Sequence, residues 1–200
     1  MSKSLDFYFD FSSPYGYLAS TRIDAIAASH GATVNWRPIL LGAAFKLTNS
    51  APLVNIPIKG DYTRHDWART ARLYGVPFHL PTQFPFGTVT ACRAFYHVSQ
   101  TDPQGAVRLA KALFHAAFGE ARDICPVEGV CAVAEAGGFD ADDILTGIQS
   151  ASVKELLKRE VEAAISRGVF GSPFFIVEGE GFWGNDRLDE VATWLDRGGW

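Results

Sequence analysis

Two hundred residues, 48% of them hydrophobic and 20% charged, describe a globular chain long enough for one large domain or one domain carrying an insertion. A formal net charge of −4 and the lack of any Lys/Arg cluster argue against a nucleic-acid surface, and no apolar run approaches membrane-spanning length. The opening Met1-Ser2-Lys3-Ser4 has no basic segment followed by an apolar one, so a cytoplasmic protein is expected. Cys92, Cys125 and Cys131 are odd in number and match neither a disulfide framework nor a zinc pattern, so no metal is expected. Cys92 and Cys131 read as buried small hydrophobes.

Leu5, Phe7, Phe9 and Phe11 alternate with Asp6, Tyr8 and Asp10, the pattern of a strand packed on one face. The period then changes: Ala19, Ile23, Ile26 and Ala27 recur at helical spacing. Ser13 suits the N-cap, Pro14 the first helical position and Gly31 the residue past the end. Ala32 to Arg37 reads as a second strand closed by Pro38, completing a β-α-β unit with a parallel pair. From Leu40 to about Lys59 the periodicity fades into an irregular loop.

Residues 61 to 168 read as nearly continuous helix, with no internal repeat. Trp67, Ala71 and Tyr74 form one stripe; Val89, Cys92 and Tyr96 a second; Val107, Ala110, Phe114, Ala117 and Phe118 a third. Val127, Val130, Cys131 and Ala134 stop at Gly137-Gly138, and Val153, Leu156, Leu157 and Ala164 stop at Gly168. Strand chemistry returns in Pro173 to Val177, then a turn through Glu178-Gly179-Glu180-Gly181 and Phe182-Trp183, before a helix with Leu188, Val191 and Leu195 on one face. The outline is α/β: a thioredoxin-like domain from residues 1–40 and 169–200, interrupted by an active-site loop and all-helical insertion over 41–168.

In such a fold the redox pair belongs at the first strand-to-helix turn, which here reads Ser13-Pro14-Tyr15-Gly16. Without sulfur the site performs no dithiol exchange. Two readings of Ser13 stand: it caps the helix, or its hydroxyl also steadies the thiolate of a bound thiol cofactor. A hydrolytic triad is disfavoured, because a nucleophile elbow would read G-x-S-x-G and His97 and His115 read as helix-surface or core residues. Gly171-Ser172-Pro173 before a strand suggests a cis-proline whose preceding residue, Ser172, pairs its backbone with a peptide-like ligand. In Trp183-Gly184-Asn185-Asp186-Arg187, Asn185 or Asp186 either caps the last helix or receives an ammonium and carboxylate pair.

These blocks, with Phe45-Lys46-Leu47-Thr48-Asn49, Pro57-Ile58-Lys59-Gly60, Trp67-Ala68-Arg69, Leu73-Tyr74-Gly75-Val76-Pro77 and Val169-Phe170-Gly171-Ser172-Pro173, resemble the 2-hydroxychromene-2-carboxylate isomerases. That family is a branch of the kappa-class glutathione transferase and DsbA-like group, and the likeness runs from residue 5 to residue 195. It implies a homodimeric isomerase with glutathione as cofactor and a small aromatic carboxylate as substrate. Ser13 matches the serine that holds the glutathione thiolate; Ser172, with Pro173, the residue that pairs with the cysteinyl backbone. Asn185 and Asp186 match the pair on the γ-glutamyl end, and Lys59 a lysine near the glycine carboxylate. Where the family reads Thr-Gly-Asn this chain has Thr48-Asn49-Ser50, so the contacting role falls to Asn49 or Ser50. Lys46 is expected to meet the aromatic acid's carboxylate. Tyr15, Phe45, Trp67 and Phe86 either pack on its ring or belong to the core. The implied reaction turns a double bond by reversible thiolate addition, with glutathione not consumed. Two alternatives remain: a kappa-like transferase that conjugates electrophiles, and a DsbA-like module that only holds peptides.

Overall fold

The computed structural model describes residues 3–200; Met1 and Ser2, at the head of the opening segment, lie outside it. Strands β1 (Lys3–Phe9), β2 (Ala32–Pro38), β3 (Phe174–Val177) and β4 (Glu180–Trp183) form one sheet in the order β2-β1-β3-β4. β1 and β2 run parallel across the helical crossover, whereas β3 and β4 are antiparallel to their neighbours. Phe7 stands opposite both Trp36 and Phe175, so three large rings share one face, with centroids 5.0 and 5.4 Å from Phe7. Helix α10 (Leu188–Arg197) buries Leu188, Val191 and Leu195, as its sequence stripe predicts.

The opposite face of β1 is partly covered. Tyr8 is 3% exposed and Asp6 is tied to Asn35, Arg37 and Arg167, while Arg37 reaches Glu160 on α9 (Ala151–Ser166). The alternation in β1 therefore separates an aromatic face from a partly exposed, hydrogen-bonded one.

The expected single helix after Ser13 breaks into α1 (Pro14–Ser20) and α2 (Ile23–Ser29). Ser20 and Thr21 donate their hydroxyls back to the carbonyls of Tyr17 and Leu18, at 2.6 and 2.8 Å, which competes with helix continuation. The segment expected as an irregular loop contains α3 (Leu41–Thr48) and a 3-10 turn (Leu53–Asn55). Its start is capped from a distance: the Leu41 N–H donates to Asp10 Oδ2 at 2.8 Å, a signal no local window contains.

Of the helical block, α4 (Lys59–Tyr74) ends at Gly75 in the left-handed region, and α5 (Val89–Ser99), α6 (Pro103–Phe114) and α7 (Val127–Ala136) follow the expected stripes. The block is not continuous: Val76 to Thr88 has no helix. Helix α8 (Ala141–Gln149) carries none of the predicted stripes, although Asp140 accepts from the Asp142 and Asp143 N–H groups and Ile144 and Ile148 are buried. Cys92 is buried as expected, but Cys131 is only half-buried on α7.

Candidate active site

The site assembles where the end of β1 meets the loop before β3. Asp10 O accepts the Ser13 N–H at 2.9 Å, turning the chain so that Ser13 becomes the N-cap of α1 with Pro14 at the first position. Ser13 Oγ accepts the Gly16 N–H at 3.0 Å and donates to the Ser172 carbonyl at 2.9 Å. In return, Ser172 Oγ accepts the Asp10 N–H at 2.9 Å. Two serines 159 positions apart thus lock α1 to the loop before β3, and the Ser172–Pro173 peptide is cis, as the sequence predicts. The fit is tight: a Cβ at position 16 would lie 2.9 Å from Ser172 Oγ and 3.2 Å from Ser13 Cβ. Among the described residues the Ser172 N–H has no backbone partner, and no histidine touches Ser13.

Behind this turn lies a residue that the sequence reading passed over. Asp10 is 3% exposed, and its carboxylate accepts four hydrogen bonds: from the N–H and hydroxyl of Ser12, both at 2.8 Å, from Leu41 N–H at 2.8 Å and from Thr88 Oγ1 at 3.0 Å. Leu41 opens α3 and Thr88 precedes α5, so one carboxylate joins the beginnings of α1, α3 and α5. Burial pushes its acidity down, raising the pKa, and the Ser12, Leu41 and Thr88 donors recover only part of that shift. The Asp-x-Ser spacing of an Asx turn was the local signal that could have flagged it.

Neither Asn185 nor Asp186 caps the last helix, contrary to the capping alternative. Gly184, at φ 121°, precedes the 3-10 turn Asn185–Arg187, and no side chain caps that turn or α10. Asn185 is instead 5% exposed: its Nδ2 donates to Tyr74 Oη at 3.3 Å, and its Oδ1 is buried without a partner. An acceptor in that state costs about 1–3 kcal/mol until a donor arrives. Asp186 points outward, with its carboxylate 3.9 Å from the Arg187 guanidinium.

Lys59 opens α4 and is exposed; the preceding Ile58 adopts φ 71°, ψ −50°, with the Lys59 N–H donating to Pro57 O at 2.8 Å. A cation at a helix N-terminus opposes the dipole, so an anion bound there would be held by the ammonium and the helix end together, although the Lys59, Gly60 and Tyr62 N–H groups already donate to backbone carbonyls. Asn49 is the C-cap of α3 in the left-handed region, which its residue type tolerates; Thr48 Oγ1 donates to Ser50 Oγ at 2.9 Å. Lys46, Asn49 and Ser50 are all exposed, and no recorded contact joins them to Ser13.

Tyr15 is half-buried, and its hydroxyl donates to Asp66 Oδ2 at 2.5 Å; burial first, then the Asp66 carboxylate, hold the phenol protonated well above its ordinary range. Trp67 is 3% exposed with its ring centroid 5.9 Å from Tyr15 and 5.6 Å from Phe84, and its Nε1 has no partner. Phe84 continues to Phe86 and Phe118, while Phe45 is half-buried on α3. Among the described residues no group of three His, Cys, Asp or Glu is placed to hold a metal ion, and no helix is long and apolar enough to cross a membrane.

Comparison with known proteins agrees with this arrangement. Residues 4–196 match the model of the DSBA-like thioredoxin domain. The chain is 32% identical to a 2-hydroxychromene-2-carboxylate isomerase of Sphingobium xenophagum over 98% of this chain and 99% of the relative. It is 25% identical to glutathione S-transferase kappa 1 of Homo sapiens, over 98% and 92% respectively. A solved 2-hydroxychromene-2-carboxylate isomerase superposes with a TM-score of 0.87 at 32% identity, covering 97% of this chain and 95% of the other. The chain belongs to the DSBA-like thioredoxin domain family, in the group that holds the 2-hydroxychromene-2-carboxylate isomerases and the kappa-class glutathione transferases.

Proposed function

We propose that this protein is a glutathione-dependent isomerase that converts a hydroxychromene-type aromatic carboxylate to its ring-opened trans isomer, working as a cytoplasmic homodimer. The observation that carries the reading is the pairing of a thiol-free Ser13 turn with a buried, unpartnered acceptor at Asn185 Oδ1. That acceptor suits an ammonium, and with the exposed Asp186 carboxylate close in the chain it fits the γ-glutamyl end of glutathione. Ser172 offers a backbone N–H and a carbonyl to the cysteinyl unit beside Pro173. Lys59, at the start of α4, suits the glycine carboxylate. Asn49, with Ser50 beside it, lies on the segment between Ser13 and Lys59.

What glutathione supplies when bound is a thiolate able to add reversibly to a conjugated double bond, so that the bond turns and the thiol returns unconsumed. Ser13 contributes one proton, now directed at the Ser172 carbonyl. Rotating that hydroxyl toward sulfur frees the same carbonyl for a ligand N–H, while the Gly16 N–H continues to polarise Oγ. The hydrogen bond from that hydroxyl would lower the pKa of a thiol held there from its free value of about 8.5. Lys46 would receive the aromatic carboxylate, and Tyr15 and Trp67 the ring.

The test mixes purified protein, glutathione and 2-hydroxychromene-2-carboxylate, and follows absorbance while free thiol is titrated. Isomerisation at constant thiol is expected. Steady thiol loss with an electrophile would instead identify a kappa-like transferase, and indifference to glutathione would leave only a peptide-holding module.

A further inference from the structure

We infer that the Trp67 indole N–H is a hydrogen-bond donor to an acceptor oxygen of the bound aromatic acid, making Trp67 a determinant of substrate class; this rests on the function proposed above. Trp67 Nε1 is buried and has no partner among the described residues. Buried polar groups are nearly always satisfied, and an indole N–H can only donate. The surroundings offer nothing to accept it. Phe78 and Phe84, at 6.5 and 5.6 Å between centroids, carry no polar side-chain atom, and the Tyr15 hydroxyl, which donates to Asp66, makes no hydrogen bond with the indole N–H.

Packing alone does not call for the nitrogen, since a phenylalanine would fill much of the same wall without it. The buried Trp36 shows the ordinary arrangement, with its Nε1 donating to Asp24 at 3.0 Å. Trp194 also lacks a partner, but its ring packs on Phe182 and Trp200, with none of the aromatics around Trp67 in contact. Trp67 alone among the unpartnered indoles lies against Tyr15, two residues beyond Ser13. Ring walls accept any flat aromatic molecule. A buried donor at their edge selects for one bearing a carboxylate or keto oxygen, and a charged acceptor strengthens that bond.

The experiment uses protein labelled with 15N in its five tryptophans, and 2-naphthoate as an unreactive flat acid, with naphthalene as the ring-only control. The Trp67 indole resonance, assigned from Trp67→Phe or by elimination from variants of the other four tryptophans, should move downfield with 2-naphthoate and stay in place with glutathione alone. Trp67→Phe should weaken binding of 2-naphthoate about tenfold or more beyond whatever loss of ring packing it causes for naphthalene, with affinity for glutathione unchanged within twofold. An indole resonance unmoved at saturation, a shift caused by glutathione by itself, or equal losses for 2-naphthoate and naphthalene would each overturn the inference. Because the acid is bound without turnover, a protein that proved indifferent to glutathione would refute the proposed reaction while this result stood or fell separately.

Discussion

A serine hydroxyl has one proton, and in Ser13 that proton is spent on a carbonyl that belongs to the far end of the chain. The same oxygen accepts the Gly16 N–H, so Ser13 both caps α1 and closes the site, and the two readings left open by its sequence context are compatible. Ser13→Ala should therefore act in two separable ways. Loss of the cap is expected to lower stability by about 1 kcal/mol, read from the urea midpoint. Loss of the donor should raise the pKa of glutathione bound to the protein, read from thiolate absorbance in the ultraviolet as pH is varied. An unchanged thiol pKa in a folded variant would remove Ser13 from its proposed role. Ser13, Pro14, Ser172 and Pro173 were legible because each signal is confined to a few neighbouring residues. The burial of Asn185 was not: its place is set by Tyr74, 111 positions away, and by the backbone of Gly184.

Helices α3 and α5 begin far apart in the chain, yet both report to Asp10. Helix boundaries read from a sequence assume that the cap is local, which is why α3 looked like an irregular loop; α8 received no stripe even though Asp140 caps it locally. The amide of Asp10→Asn keeps the size but puts N–H groups where one oxygen now accepts from Leu41 or from Ser12 and Thr88. At least one donor is left buried without an acceptor, and the expected loss is about 1–3 kcal/mol in urea unfolding. Amide hydrogen exchange should locate that loss at the first turns of α3 and α5. Protection that stayed intact at both turns would mean that Asp10 does not hold them. The segment it anchors carries Lys46 and Asn49, so the variant should also weaken glutathione binding more than Ser12→Ala does.

Across the whole molecule the sheet is held between an aromatic face and a charged one, and the charged face makes stability depend on pH. For Asp6, burial raises the pKa, but the hydrogen bonds from Arg37 and Arg167 outweigh it and set the folded value below the usual 3.8. A depressed folded pKa contributes stability that is present above 3.8 and disappears as pH falls through the lower folded value. Asp6→Asn should accordingly cost about 1–2 kcal/mol at neutral pH, since the arginines it pairs with are partly exposed, and the gap between wild type and variant should narrow as pH falls below 3.8 and close below the folded value. A gap of the same size at both pH values would assign the effect to packing. The overall outline, β-α-β followed by helices and β-β-α, was readable because strand and helix periods differ. Which helices cover the second face of the sheet was not, because that depends on pairings such as Arg37 with Glu160 across 123 positions.

The pairing of Ser13 with Ser172 also bears on the order in which the protein is made. β1 has its parallel partner once residue 38 has been made, but its other neighbour, β3, and the carbonyl that receives the Ser13 proton come only after residue 170. A nascent chain on the ribosome carries β1 with one edge open through the synthesis of the whole helical block. No ligand resting on both Ser13 and Ser172 can assist the early stages of folding, because its site exists only when β3 arrives. The helices between must mature around an unfinished sheet, and the last strands to emerge both close its edge and complete the site.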